Sequence, residues 1–342
     1  MKKLPLSQMP ALYAAMAQGG ALYLPVDNTA GDAQFTRWQE GMELSRALNT
    51  VRSAKDFFFP QTENLVSFRM QGKTIEIIDP RTEGEDFVLF GVRACDARSF
   101  TILDKVFLAD PVDSYYKSRR EHGTVVTLAC TRPEETCFCQ SFGIDPAGPE
   151  GDAACWLTED ALYITARTAK GEALLARLDG LLEDADPAPV EAQKAQTAAI
   201  LAKLPLAQFT TRSFGGDVLM KAFDSPKWAS LSEACLGCGT CTFVCPTCQC
   251  YDIRDFDTGH GVKRFRCWDS CMYSDFTKMA HGNPRTSQLE RFRQRFMHKL
   301  VYFPANNDGE YGCVGCGRCL AKCPISMNIV KVAKALEGDV HE

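Results

Sequence analysis

The chain has 342 residues, a net charge of −5 and 45% hydrophobic residues, which is the composition of an ordinary soluble globular protein. This length favours two domains, and the charge excludes the strongly basic surface that is typical of nucleic-acid-binding proteins. There is no run of 18 apolar residues to cross a membrane and no continuous apolar region of a secretory signal, so we expect a cytoplasmic protein. Seventeen Cys without such a signal indicate metal ligands or redox groups rather than disulfides.

The first half of the chain alternates between helical and strand patterns, which is typical of an α/β domain. In chain order the sequence predicts a helix over 7–18, strands over 21–26, 74–80 and 86–92, a helix over 96–108, strands over 123–130 and 161–167, and a helix over 172–182. Two continuously apolar strands joined through a helix predict a parallel pair, here 86–92 and 123–130, within a mostly parallel sheet. The acidic, Pro-rich segment 183–193 is interpreted as a linker or a surface excursion.

The second half of the chain, from about residue 205, has a different composition. Twelve of the seventeen Cys lie there, strand patterns are scarce, and the clearest helical pattern covers 286–300. We therefore expect residues 1–204 to form the α/β domain and residues 205–342 to form a mainly α-helical domain.

Four basic side chains accompany the helix predicted over 286–300. The apolar residues of this helix follow the spacing of a stripe that faces the core. We interpret the basic residues as the solvated face opposite that stripe, and a docking patch for an acidic partner is the alternative; they are Arg291, Arg293, Arg295 and Lys299.

One Cys-rich motif occurs twice in the second half. CLGCGTCTFVCP covers residues 235–246 and CVGCGRCLAKCP covers residues 313–324, with the same spacing of four Cys and a closing Pro. In such a run the first three thiolates bind one [4Fe–4S] cluster, while the fourth Cys points away and binds the second cluster of a pair. The motifs thus predict one cluster bound by Cys235, Cys238, Cys241 and Cys323, and another bound by Cys313, Cys316, Cys319 and Cys245.

The glycines of the two motifs support this interpretation. Gly237, Gly239, Gly315 and Gly317 would supply the tight turns that bring the sulfurs together. Zinc is the alternative ligand, but zinc sites combine two distant Cys pairs and do not require a run of four Cys.

Four Cys of the first half are predicted to meet at the carboxyl edge of the sheet. Cys95 follows the strand 86–92, Cys130 ends the next strand, and Cys137 and Cys139 lie on the loop after it. Parallel neighbours bring their carboxyl ends to one edge, where α/β folds bind ligands. A third cluster is one interpretation, and four small buried side chains are the other.

Five further Cys lie outside these sets. Cys155 is interpreted as ordinary packing. Cys248, Cys250, Cys267 and Cys271 lie between the motif copies, where they are candidates for an additional metal site, for shielding of the clusters or for simple burial.

Stretches outside the motifs carry a family resemblance. They are FGVRACDARSFTILDKVF at 90–107, CTRPEETCFCQSFG at 130–143, CPTCQCYDI at 245–253, and WDSCMYSDFTKMAHGNPR with ERFRQRFMHK within 268–299. With the two motifs they resemble the iron–sulfur subunit of anaerobic sulfite reductase and the beta subunit of cytoplasmic sulfhydrogenase. They are also similar to the iron–sulfur subunits of flavin-oxidoreductase modules linked to heterodisulfide reductase. The resemblance covers the chain from about residue 55 to its end.

The resemblance implies both a fold and a set of partners. It implies a dicluster domain of the α-helical ferredoxin type, placed between an FAD/NAD(P)H-binding subunit and a terminal redox catalytic subunit. It also places seven Cys outside the motifs, but not Cys267, on Cys positions of the family pattern; they are Cys95, Cys130, Cys137, Cys139, Cys248, Cys250 and Cys271.

We therefore expect an electron-transfer subunit of a multi-subunit anaerobic oxidoreductase, without a substrate site of its own. The terminal subunit is expected to be of the sulfite reductase, NiFe hydrogenase or heterodisulfide reductase type. One alternative is an oxidoreductase with its own flavin, although no G-x-G-x-x-G follows a strand. The other is a scaffold whose clusters only stabilise the fold.

Overall fold

Twelve β-strands form two sheets in the part of the chain that the structure, a computed structural model, describes (residues 1–79, 81 and 84–341). They are β1 (Lys2–Pro5), β2 (Ala21–Asp27), β3 (Ala33–Arg37), β4 (Thr62–Gln71), β5 (Thr74–Ile78), β6 (Phe87–Val92), β7 (Gly123–Leu128), β8 (Ala153–Leu157), β9 (Ala161–Ala166), β10 (Glu183–Asp184), β11 (Tyr251–Asp257) and β12 (Gly261–Trp268). One sheet has the strand order β10-β1-β9-β8-β7-β6-β2-β3, and the other has the order β11-β12-β4-β5. The last residue of the strand predicted over 74–80, Pro80, lies outside the described residues.

The larger sheet is mixed rather than mostly parallel. Its centre, β2-β6-β7-β8, is parallel, and the pairing of β6 with β7 confirms the predicted parallel pair. The pairings on both sides of this centre are antiparallel. The connections from β2 to β3 and from β8 to β9 are too short for the crossover that a parallel pair requires. The prediction of a mostly parallel sheet is therefore not confirmed.

The helices of the described chain include all those that the sequence predicts. In chain order they are α1 (Met9–Ala17), α2 (Ala94–Phe107), α3 (Ser114–His122), α4 (Ala169–Arg177), α5 (Ala188–Leu201), α6 (Leu219–Asp224), α7 (Lys227–Glu233), α8 (Thr240–Phe243), α9 (Gln288–Met297), α10 (Phe303–Asn306), α11 (Arg318–Ala321) and α12 (Ile329–His341). The segment 183–193, interpreted as a linker or a surface excursion, includes the start of α5, and most residues of this helix are exposed. Pro189 lies in the first turn of α5, where a missing backbone N–H has no cost.

The C-terminal half is mainly helical around an apolar core. Helices α7, α9 and α12 contribute the fully buried Trp228, Phe292 and Leu336 to it. Ser287 and Glu290 close the start of α9 with reciprocal hydrogen bonds, which fixes where this helix begins. No helix among the described residues is long and apolar enough to cross a membrane.

The smaller sheet joins the two halves of the chain. Strands β4 and β5 come from the first half, whereas β11 and β12 form a hairpin between the two motif copies. Where β4 pairs with β12, Glu63 and Arg266 form a buried ion pair. The predicted division near residue 204 stays a prediction, and this sheet contains strands from both sides of it.

A second buried ion pair ties the C-terminal motif to the start of α2. The guanidinium of Arg318 donates to both carboxylate oxygens of Asp96 at 2.6 and 2.7 Å, and its Nε donates to the carbonyl of Thr50 at 2.8 Å. The two charged side chains are only 3% and 2% exposed. Either charge alone would be strongly unfavourable at this depth, so the pair holds the second motif against the first half of the chain.

Asp96→Asn should destabilise the protein by about 3–5 kcal/mol, because Arg318 would remain charged and buried without its carboxylate. Denaturant unfolding of the anaerobically purified protein measures this effect. The matched control is Asp255→Asn, which breaks an exposed pair with Arg264 and should leave the unfolding curve unchanged. Equal losses in the two variants would contradict the proposed role of the buried pair.

Candidate metal centres

Each Cys motif turns on two glycines in the left-handed conformation. Gly237, Gly239, Gly315 and Gly317 have φ values of 64°, 73°, 60° and 78°, which residues with side chains rarely adopt. At Gly315 there is also no space, because a Cβ atom would lie 2.4 Å from the carbonyl oxygen of Phe138. Helices α8 and α11 begin directly after the second glycine of each motif. The predicted tight turns are confirmed, and the two motifs share one backbone design.

Four Cys from both motifs line one small cavity. Cys235, Cys238 and Cys241 come from the first motif, and Cys323 comes from the second. Apolar side chains form much of the remaining wall, including Met272, Phe292, Phe296, Ile325 and Met327. Cys238 is exposed, whereas the other three thiols are partly buried. The geometry thus gathers the predicted ligand set across the two motifs, and ligation itself stays a prediction.

The other four motif Cys are electrostatic neighbours. Burial raises the pKa of the Cys319 thiol, and the nearby Cys313, Cys316 and Cys245 raise it further, while Arg295 opposes the shift. A hydrogen bond from Cys248 lowers the pKa of Cys245. Cys245, the fourth Cys of the first motif, therefore lies near the first three Cys of the second motif. This arrangement is the reciprocal of the cavity in which Cys323 joins the first three Cys of the first motif.

Three buried cations surround this second set of thiols. Lys55, Arg295 and Lys299 are 1%, 2% and 4% exposed, and none forms an ion pair with a carboxylate in the described part of the chain. Lys55 Nζ donates to the carbonyl of Cys248 at 2.8 Å, and Lys299 Nζ donates to the Thr247 hydroxyl and to a backbone carbonyl. Although burial opposes its charge, the neighbouring thiols hold the pKa of Lys299 above its usual range.

The guanidinium of Arg295 lies between the two sets. It lines the cavity of the first set, is an electrostatic neighbour of Cys319 in the second, and donates from Nη2 to the carbonyl of Cys241 at 2.9 Å. Its Nε and Nη1 are buried without a hydrogen-bond partner among the described residues. A buried cation with unused donors requires nearby negative charge, and a cluster with its four thiolates supplies it. The residues present therefore fit the predicted groups.

The interpretation of the basic residues on α9 as a solvated face is wrong for two of them. Arg295 and Lys299 are buried among the motif thiols, whereas Arg291 and Arg293 are partly buried. Arg295 lies within α9 itself, three residues after the buried Phe292, so it stands beside the apolar stripe. Lys299 lies in the π-helical turn that follows α9, His298–Tyr302, whose wider winding departs from the α-helical period. A periodic pattern of 3.6 residues does not anticipate that change.

The Cys of the first half that were predicted to meet also share one cavity. Cys95, Cys130, Cys137 and Cys139 line it, at the edge where β6 and β7 end. Cys155 lies apart from them, fully buried within the apolar core of the sheet, in agreement with ordinary packing.

Three of the four Cys between the motifs lie together. Cys250 hydrogen-bonds with Cys271, and Cys248 hydrogen-bonds with Cys245. Cys267 is separate on β12, where its charged neighbours are Arg254, Asp252 and Asp269. A site that uses all four of these Cys does not match this geometry, and a role for Cys248, Cys250 and Cys271 stays a prediction.

The described residues contain no site for a single metal ion. Within the described residues, no group of three or more His, Cys, Asp or Glu side chains is placed to hold one metal ion. A [4Fe–4S] cluster distributes four thiolates over four irons, so its ligands stand farther apart than those of a single ion. The absence of a single-ion site among the described residues therefore does not argue against [4Fe–4S] clusters.

Comparison with known proteins identifies the class and then the family. A family model described as a 4Fe-4S dicluster domain matches residues 234–327, which include both motifs. The C-terminal half thus contains a 4Fe-4S dicluster domain. Over 337 residues the chain is 32% identical to sulfhydrogenase 2 subunit beta of Pyrococcus furiosus, with 96% of each chain covered. The chain belongs to this family of iron–sulfur electron-transfer subunits. No solved structure matches it.

Cys323→Ala should abolish the same cluster as Cys238→Ala, although Cys323 is much closer in sequence to Cys316. The reason is that the thiols of Cys323 and Cys238 line one cavity. EPR spectra of the reduced, anaerobically purified variants make the comparison, with Cys267→Ala as a control that keeps both signals. The exchange of ligands between motifs is wrong if Cys323→Ala instead reproduces the spectrum of Cys316→Ala.

Proposed function

We propose that this chain relays single electrons through two [4Fe–4S] clusters in its dicluster domain. The observation that carries the proposal is the position of Cys323, which lines one cavity with three Cys of the other motif. Two clusters that exchange their fourth ligands lie side by side. Adjacent clusters suit electron transfer, whereas one cluster would suffice to stabilise the fold.

The residues of the chain would bind, shield and tune these groups. The eight motif thiolates hold the clusters, and the apolar wall of the first cavity keeps water from it. The buried positive charges of Arg295 and Lys299 offset the negative charge of the thiolates and favour the reduced state of a bound cluster. When bound, a cluster accepts and returns one electron at a time, which suits it to a partner flavin that divides an electron pair.

We propose two partners, an FAD/NAD(P)H-binding subunit and a terminal redox catalytic subunit. The similarity to sulfhydrogenase 2 subunit beta favours a hydrogenase-type terminal subunit over the sulfite reductase and heterodisulfide reductase types. The exposed Cys238 brings the first site within reach of a partner's redox group.

Removing a buried cation should lower the cluster potentials in a pattern that reflects its position. Arg295→Met should lower both midpoint potentials, because Arg295 neighbours thiols of both sets, whereas Lys299→Met should lower only that of the second site. A unit charge about 6 Å away, at an effective dielectric constant near 20, contributes about 3 kcal/mol, on the order of 100 mV for one electron. Redox titration monitored by EPR measures these shifts.

The control for the redox titration is Lys331→Met, which removes an exposed lysine and should leave both potentials unchanged. Unaltered potentials in Arg295→Met would contradict the assigned position of that charge between the two sites.

The test of the proposed function uses the assembled complex with Cys245→Ala. The chain alone should not oxidise NAD(P)H, and the variant complex should still oxidise NAD(P)H with an artificial acceptor. Delivery to the terminal subunit should stop, because the second cluster has lost a ligand. Full turnover in a variant complex that has lost about four irons would show that electrons bypass this domain.

A further inference from the structure

We infer that the α/β domain holds a third [4Fe–4S] cluster, bound by Cys95, Cys130, Cys137 and Cys139. These residues lie outside the part of the chain that matches the dicluster family model, residues 234–327. The inference rests on the proposed function, because it extends the same electron relay into the first half of the chain.

The sheet topology brings the first two of these thiols together. Strands β6 and β7 are parallel neighbours, so the carboxyl ends of both strands lie at the same edge of the sheet. Cys95 lies in the first turn of α2 directly after β6, and Cys130 follows β7 by two residues. The backbone N–H of Cys130 donates to the carbonyl of Pro146 at 2.8 Å, which fixes its position after the strand ends.

A folded-back loop supplies the other two thiols. Between Cys137 and Cys139, the N–H of Phe138 donates to the carbonyl of Gly315 at 3.0 Å. Because Gly315 has no side chain, this loop can approach the second motif closely. A short 3₁₀ helix, Cys139–Phe142, begins at the second of these Cys. The loop is thus held in place by the dicluster domain.

The chemistry of the cavity favours an iron–sulfur cluster. Apart from the four thiols and Cys316, its described lining consists of Leu48, Asn49, Pro133, Pro146 and Gly315. A donor set of thiolates alone selects an iron–sulfur cluster or zinc. A cluster is the group that the two motifs of this chain are also predicted to bind, and metal analysis separates it from zinc.

Positive charge also faces this cavity. Arg93 donates to the carbonyl oxygens of Leu128 and Ala129, at the end of β7, and lies near Cys130. Arg318 also lies near Cys95, with its charge paired to Asp96. Cys155, by contrast, is enclosed by apolar side chains and has no thiol neighbour among the described residues. The four thiols therefore do not resemble the Cys that this sheet uses for packing.

The position of Cys316 connects the inferred cluster to the relay. Cys316 belongs to the second thiol set and also lines the cavity of the α/β domain. Its carbonyl accepts a hydrogen bond from Asn49 Nδ2 at 3.3 Å. The three sites would then form a row, with the second site in the middle and the exposed Cys238 at one end.

Metal analysis of the whole anaerobically purified chain tests the inference. The parent protein should contain about twelve irons, and Cys137→Ser should contain about eight while keeping both dicluster EPR signals. Cys137 is suitable because it is only partly buried, and Cys267→Ser is the matched control, since Cys267 is equally partly buried and has no thiol neighbour. The control should keep about twelve irons.

Other outcomes separate this inference from the proposed function. A parent protein with about eight irons and both dicluster signals, or with zinc in place of the last four irons, overturns the third cluster alone. About four irons or fewer in the fully reconstituted parent overturns the dicluster relay itself. If Cys137→Ser does not fold, Mössbauer spectroscopy of the parent decides, because it counts two or three cubane clusters directly.

Discussion

Buried positive charge is the constraint on which the C-terminal half of this protein depends. Arg295 and Lys299 lie in the interior without carboxylate partners among the described residues, and Lys55 joins them from the first half of the chain. Such charges are stable only beside negative charge, and the motif thiolates with the clusters that we propose they hold would provide it. Cofactor and fold therefore support each other, as in small metal-binding domains whose binding free energy contributes to folding.

The proposed relay, which extends from the dicluster domain into the first half of the chain, requires the two halves to keep a fixed position. Electron transfer weakens steeply with distance, so a relay requires sites that do not move apart. Arg318 of the second half forms an ion pair with Asp96 of the first half. Gly315 lets the loop around Phe138 approach the second motif. The smaller sheet adds a backbone connection, because β12 pairs with β4. The first two of these contacts involve residues of the second motif itself.

Much of the site could be predicted from the sequence, because ligand spacing and glycine positions are local properties. The gathering of Cys323 with three Cys of the other motif around one cavity, the turns at the glycines and the parallel pair β6–β7 are examples. The pairings of β1 with β9 and of β4 with β12 join segments that are distant in the sequence, so periodicity does not reveal them. The β11–β12 hairpin is local, but most residues of β11 are exposed, so this strand has no buried apolar face to mark it. The burial of Arg295 and Lys299 could not be predicted either, because periodicity assigns charged residues to solvent unless a buried counter-charge is known.

The most direct test of this account is anomalous X-ray scattering at the iron absorption edge, measured on crystals grown and kept without oxygen. The central claim is that the two motifs exchange ligands. We expect iron density bonded to Cys323 together with Cys235, Cys238 and Cys241, and separate iron density bonded to Cys245 together with Cys313, Cys316 and Cys319. Density in which all four Cys of one motif bind the same cluster would contradict the account.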